Sequence, residues 1–264
     1  RITALDLNAE RGATIAQLLT QQLLLEDRYF REGSRAIFAK LSENVSQVTS
    51  LLDDSLKQDN SFEMDALLIQ TNGILDTHLK VFNEAARIVD EIKDIKIQIT
   101  DIFHQNEHLL DNLTDSIALE ASVLMIDGIY ISPVKRELLN SLKEFKGLTS
   151  ISLLNISDLL YFSDEKHYLQ SEDALYKKTE QVMRACDGLS SFTGVSKYRS
   201  GWLKIKENQH KIDQLKTRLY KFWKSRIGLV DTLENIDFEI QKNAQKITSL
   251  SRQEIQGLKT VFYW

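Results

Sequence analysis

The sequence predicts an all-α protein whose second half repeats the plan of its first, a broken helix followed by a long unbroken one. Three observations carry that expectation. A single proline and ten glycines in 264 residues leave few places to turn. Apolar residues recur three and four positions apart over most of the chain, the period of a helix seam. Two similar stretches, Glu26-Asp27-Arg28-Tyr29-Phe30-Arg31-Glu32-Gly33 and Glu165-Lys166-His167-Tyr168-Leu169, each precede a resumption of that pattern. The first resumes at Ala36-Ile37-Phe38-Ala39-Lys40 and the second at Ala174-Leu175-Tyr176-Lys177-Lys178.

Composition narrows the class of molecule. Charged residues at 27% and hydrophobic ones at 42% allow a packed core and exclude a disordered segment. A net charge of −5 without a basic stripe argues against a nucleic-acid partner. One cysteine, Cys186, rules out an internal disulfide and a cysteine-ligated zinc site. No run of about eighteen apolar residues is present, so nothing in the chain itself spans a membrane. The aromatic end Val261-Phe262-Tyr263-Trp264 suits a membrane–water interface or the end of a core helix. The chain starts at Arg1 without a methionine and reads as part of a longer protein.

The elements follow in order. Residues 2–32 carry apolar or small side chains at 2, 5, 9, 12, 16, 19, 23 and 30, the seam of a bundle helix. Glu26 falls on that seam. A buried carboxylate needs a partner, so Glu26 is expected either to meet Arg or Lys across the bundle or to join a polar layer that holds a ligand. Gly33-Ser34 then breaks the pattern, because glycine costs about 1 kcal/mol relative to alanine inside a helix. Ser34 suits the N-cap of a helix over 35–57. A polar turn, Lys57-Gln58-Asp59-Asn60-Ser61, leads into a helix over 62–126 marked by Leu68, Leu75, Phe82, Val89, Ile92, Ile99, Leu113 and Ile117. Gly128 and Pro133 end it and begin the next, proline fitting a first helical turn. The second half runs from 134 past Phe145, Leu148, Leu159 and Phe162 to a break at Gln170-Ser171-Glu172-Asp173. A helix then continues to about 187, a loop covers 188–194, and a last helix runs from 196 to the end.

This helix order, with the spacing of Glu26, Tyr29 and Gly33, resembles the helical bimodular sensor domain of bacterial chemoreceptors and sensor histidine kinases. Glu165, Lys166 and Tyr168 match the head of the same signature. In the first copy Asp27, Arg28 and Ser34 replace its usual Lys, Asp and Asp. The resemblance implies six helices in two stacked antiparallel four-helix bundles. The membrane-proximal module would comprise about 1–32, 96–170 and 225–264, and the distal one about 34–95 and 171–224. It also implies flanking transmembrane helices, a homodimer, a periplasmic position on an inner-membrane protein, and signalling through helix shifts. Some members bind small carboxylates between the helices, and a related sensor engages a periplasmic binding protein instead. No cofactor is implied. Glu26, Tyr29, Gly33, Glu165 and Tyr168, each set just before a helix break, are expected to form structural joints between the modules.

Counting heights along four helical passes brings Arg28, Arg31, Lys166, His167, Trp223 and Arg226 to one level. Arginine forks suit carboxylate recognition, and Trp223 offers a stacking surface, so these six form a candidate ligand layer. The alternative is a solvated charged face. Arg11 and Arg252 are weaker candidates for a second site. His104 and His108 have the i, i+4 spacing of a metal pair, but they lie off the apolar seam without a third ligand, and no metal is expected there. No phosphate loop, nucleophile elbow or Ser/His/Asp constellation occurs, so no enzymatic activity is expected of this chain, whatever kinase a full receptor carries. The other reading is a soluble helical interaction protein or pore-forming toxin component. A pore former needs a long apolar hairpin, and the best candidate, Ala121–Ile131, is short and holds Asp127.

Overall fold

The computed structural model describes residues 2–58, 60–130, 133–158, 173, 177 and 196–262. Every regular element among them is a helix: α1 (Ile2–Glu32), α2 (Arg35–Leu56), α3 (Phe62–Ile126), α4 (Pro133–Asp158) and α5 (Ser196–Phe262). The described helix ends fall where the breaks and caps in the sequence put them. The second motif copy at 165–169 and nearly all of the helix expected after it lie outside the described residues. Two compact units are present, one of residues 1–90 with 224–264 and the other of 91–223; α3 and α5 contribute to both.

This partition differs from the expected modules, which separated 1–32 from 34–95. Residues on either side of Gly33 share one core. Ile15 and Leu19 of α1 belong to the same cluster as Val45, Val48 and Leu52 of α2, and Tyr29 and Phe30 pack with Ile37 and Leu41. The reason is the backbone at Gly33. Its φ of +57° lies in the left-handed region that a Cβ disfavours. Its N–H donates to the Tyr29 carbonyl at 2.6 Å, closing α1. Ser34 follows in an extended conformation, φ −78° and ψ 126°, and α2 leaves in the reverse direction. Gly33-Ser34 is therefore the turn of an αα-hairpin inside one unit, not a joint between two. Ser34 holds the N-cap position, but its side chain makes no capping hydrogen bond.

In the first unit α1 and α3 run one way and α2 and α5 the other. Their core is built from Ile15, Leu19, Val48, Leu52, Leu68, Leu75, Ile240 and Ile247. Burying each such side chain contributes about 1.5–3 kcal/mol. The buried stripe of α1 is Asn8, Gly12, Ile15, Leu19, Gln22, Glu26 and Tyr29, one position away from the expected Ala9, Ala16 and Leu23. Two polar residues replace two apolar ones on that stripe because each has a partner across the bundle. Asn8 donates to Asn60 at 2.7 Å, and Gln22 reaches His78.

The α2–α3 turn is fastened by side chains. Asn60 donates to the Ser55 carbonyl and to Asp65, both at 2.8 Å. Ser61 accepts from the Met64 N–H at 3.2 Å, capping α3, and donates to Glu254 of α5 at 2.5 Å. Gly12 marks a close approach of two backbones. A Cβ there would lie 2.5 Å from Thr248 Oγ1 and 3.1 Å from the Ala244 carbonyl oxygen.

The second unit is built on the α3–α4 hairpin, which turns at Gly128 with φ +72°. Leu110, Leu113 and Ile117 face Leu138, Leu142 and Phe145, with Trp202 and Ile205 of α5 completing the core. Lys146 bridges to Asp111 at 2.7 Å on the rim, and a buried amide pair, Asn208 donating to Asn106 at 2.9 Å, links α5 to α3.

Gly33→Ala is expected to lower the unfolding free energy by about 1–2 kcal/mol, since alanine must adopt the left-handed conformation. At Gly73 of α3 an added Cβ meets nothing within 4 Å, so Gly73→Ala should stabilise by up to about 1 kcal/mol. Urea unfolding followed by circular dichroism measures both, and the same sign at the two positions would contradict the turn assigned to Gly33.

Candidate functional site: a buried polar layer in the first unit

Gln22 and Glu26 stand one turn apart on the inner face of α1. His78 reaches them from α3 and Asp237 from α5. His78 and Gln22 are fully buried, Asp237 is 1% exposed and Glu26 5%. His78 Nε2 lies 3.0 Å from Glu26 Oε1, 3.0 Å from Gln22 Nε2 and 3.2 Å from Asp237 Oδ1. Gln22 Nε2 also donates to Glu26 Oε1 at 2.9 Å. Three helices thus converge on one imidazole nitrogen.

The electrostatics of the layer are those of a proton held between acids. Burial alone would lower the His78 pKa, but hydrogen bonds to Asp237 and Glu26, with their charges, push it up to about 9. Burial pushes the Asp237 carboxyl up to about 6, assisted by the nearby Glu26 charge and opposed by His78. Hydrogen bonding is incomplete. Gln22 Oε1 and His78 Nδ1 have no hydrogen-bond partner, and Asp237 meets the layer through its 3.2 Å contact with His78 Nε2. A single Nε2 proton cannot satisfy two carboxylates. Glu26, His78 and Asp237 each offer a metal-ligating atom, all within 4.8 Å of one another.

An aromatic cluster borders the layer. The His78 ring lies parallel to Phe82 at 6.2 Å, and Tyr29, Phe30 and Phe38 surround Phe82 at 5.6–6.1 Å. Burial, reinforced by Asp90, pushes the Tyr29 phenol up to about 12. A cleft of about 630 Å³ opens against this cluster, with Glu26, His78 and Phe82 in its buried wall. Its outer wall carries the hydroxyls of Ser42, Ser46, Thr49 and Ser50, and Asp53, Asp54 and Lys57 also line it.

The residues singled out from the sequence fall in different places. Glu26 is buried as expected on the seam, but its partners are His78 and Gln22 rather than Arg or Lys. Tyr29 is a core residue of the aromatic cluster. Arg28 and Arg31 are exposed and paired within their own helix, Arg28 with Glu32 at 2.8 Å and Arg31 with Asp27. Arg226 is buried and donates from Nη1 to the Phe30 carbonyl at 3.0 Å. It thereby satisfies one of the last carbonyls of α1, and burial lowers its pKa. Trp223 belongs to the second unit, where it is buried and stacks on Tyr220 at 5.8 Å. Glu165, Lys166, His167 and Tyr168 lie outside the described residues. His104 and His108 are exposed, His104 standing 3.8 Å from Glu107; Arg252 is exposed and Arg11 half-buried. Sequence reasoning passed over Gln22, His78 and Asp237. Two of them sit at seam spacing, His78 between Leu75 and Phe82 and Asp237 between Leu233 and Ile240. A polar residue interrupting a regular seam was the available signal.

No family model and no curated protein matches the chain. A solved structure does. The fold is similar to that of the TorS sensor domain. The match is to the crystal structure of that domain in complex with TorT in the presence of TMAO, with a TM-score of 0.51 over 93% of this chain and 99% of that one. Sequence identity is 10%, so the likeness is one of fold.

The layer makes stability depend on pH. His78 holds its proton more tightly folded than unfolded, so its contribution is complete below its ordinary value of 6.5 and is lost as pH rises toward about 9. Asp237, also raised, acts in the same direction between 3.8 and about 6. In chelator-containing buffer the unfolding free energy is expected to fall by up to about 3 kcal/mol between about pH 6 and about pH 9.5. His78→Gln should flatten that slope, as read by urea unfolding; an unchanged slope would sink the assignment.

Proposed function

We propose that the chain is the extracytoplasmic, periplasmic sensor domain of a bacterial transmembrane receptor, either a histidine kinase or a methyl-accepting chemotaxis protein. The observation that carries this reading is the fold similarity to the TorS sensor domain over 93% of the chain. In this reading the chain performs no chemistry; it binds, and an output domain elsewhere responds. The cleft suits a small ligand. Its hydroxyls and its excess of acids over Lys57 favour a polar neutral or cationic molecule over the carboxylate that the sequence resemblance suggested. A ligand that contacts Glu26 or His78 favours one packing of the three helices joined there, and helix shifts of about 1–2 Å are the usual scale of such signals.

A protein partner is the second mode of sensing, supported by the similar domain having been crystallised with TorT. Exposed Val123, Met125, Ile126, Ile129 and Tyr130, around the end of α3, supply an apolar surface on the second unit that suits a periplasmic binding protein. Flanking transmembrane helices and a homodimer complete the proposal.

Two measurements test it. The full-length sequence is expected to carry an apolar span of about twenty residues on each side of this chain. The intact receptor in membranes should change its autophosphorylation or methylation with a ligand from a panel of amines, amine oxides, polyols and small acids, alone or with periplasmic extract. A full-length protein lacking both spans, or an output indifferent to the whole panel, would overturn the reading.

A further inference from the structure

The layer of Gln22, Glu26, His78 and Asp237 brings two carboxylates, one imidazole and one amide together where water is largely excluded. Buried carboxylates are costly unless their charge is matched. Asp237, 1% exposed, meets His78 Nε2 at 3.2 Å, and the fully buried Gln22 Oε1 has no hydrogen-bond partner. One proton on His78 Nε2 leaves two acids sharing one positive charge. A divalent cation would balance them completely.

We propose that these four side chains form a binding site for a first-row divalent transition-metal ion, with Zn2+ as its probe. The donor set of one imidazole nitrogen and several oxygens, without thiolate, is the one that such ions share. The spacing agrees. Ligands about 2.0–2.2 Å from a metal stand about 3.0 Å apart at right angles and about 3.4 Å apart at tetrahedral angles. Around His78 Nε2 the observed edges are 3.0, 3.0 and 3.2 Å, and the Gln22–Glu26 edge is 2.9 Å. A half-turn of the Gln22 amide presents its unpartnered Oε1 to the centre. The ligands come from α1, α3 and α5, held by the cores on either side of the layer. Two of the four residues, Glu26 and His78, also line the cleft beside α2 and α3. The site rests on the geometry of the first unit and is independent of the sensor reading.

The test uses the purified chain stripped with a chelator. Calorimetric titration with Zn2+ is expected to give one ion per chain, and Co2+ should give a visible absorption spectrum of nitrogen and oxygen ligation. His78→Gln and Asp237→Asn should each weaken Zn2+ binding at least about tenfold. His104→Ala/His108→Ala, which removes the exposed histidine pair, should leave binding unchanged. No saturable uptake by the parent chain overturns the proposal. So does unchanged affinity in a folded His78→Gln variant, or loss of binding on removing His104 and His108. If circular dichroism shows that a variant at 78 or 237 has unfolded, Glu26→Gln and the Co2+ spectrum of the parent decide by the same criteria.

Discussion

A carboxylate buried on the seam of α1 dictates how the first unit is assembled. Apolar seams alone are permissive. Leu68, Leu75, Phe82 and Val89 recur every seven residues on α3, as do Leu233, Ile240 and Ile247 on α5, so a slip of two turns would still bring apolar side chains to the core. Glu26 removes that freedom. Only one alignment places His78 of α3 and Asp237 of α5 beside it, and a slip of a single turn, about 5.4 Å, would strand both acids without the imidazole. Leaving a buried charge unmatched costs about 3–5 kcal/mol, more than the loss of a single average core contact.

The layer ties three helices and omits the fourth. α2 contributes Ile37, Leu41, Val45, Val48 and Leu52 to the apolar cores and hydroxyls to the far side of the cleft, but no group to the charged cluster. It is held by two turns, at Gly33 and at Asn60–Ser61, by apolar contacts, and by a hydrogen bond from Asn72 of α3 to Asp53 at 3.3 Å. A molecule in the cleft would touch the charged layer on one side and the hydroxyls of α2 on the other.

Element boundaries were legible because their causes are local. Glycine at 33 and 128, Ser61 as a cap, and Pro133 at a first turn each act on the backbone beside them. The direction taken after Gly33 was not legible. A glycine break reads equally as a kink in a continuing helix or as a hairpin, and only the contacts of Ile15 and Leu19 with Val45 and Leu52 decide between them. The site was half legible. Glu26 stood out as an acid on a seam, but its partners lie far away in the chain, and apolar periodicity steps over His78 and Asp237 because they are polar. The arginines drew attention for the opposite reason. Arg28 and Arg31 are conspicuous in sequence yet spend their charge on neighbours one turn away.

The contact at Gly12 limits how α1 can move against α5. With Thr248 and the Ala244 carbonyl pressed against the glycine, sliding α1 lengthwise would drive the larger flanking side chains Asn8 and Ile15 toward the α5 backbone. Gly12 lies fourteen residues from Glu26. A lengthwise slide of α1 is therefore opposed at a point about 21 Å along the helix from Glu26.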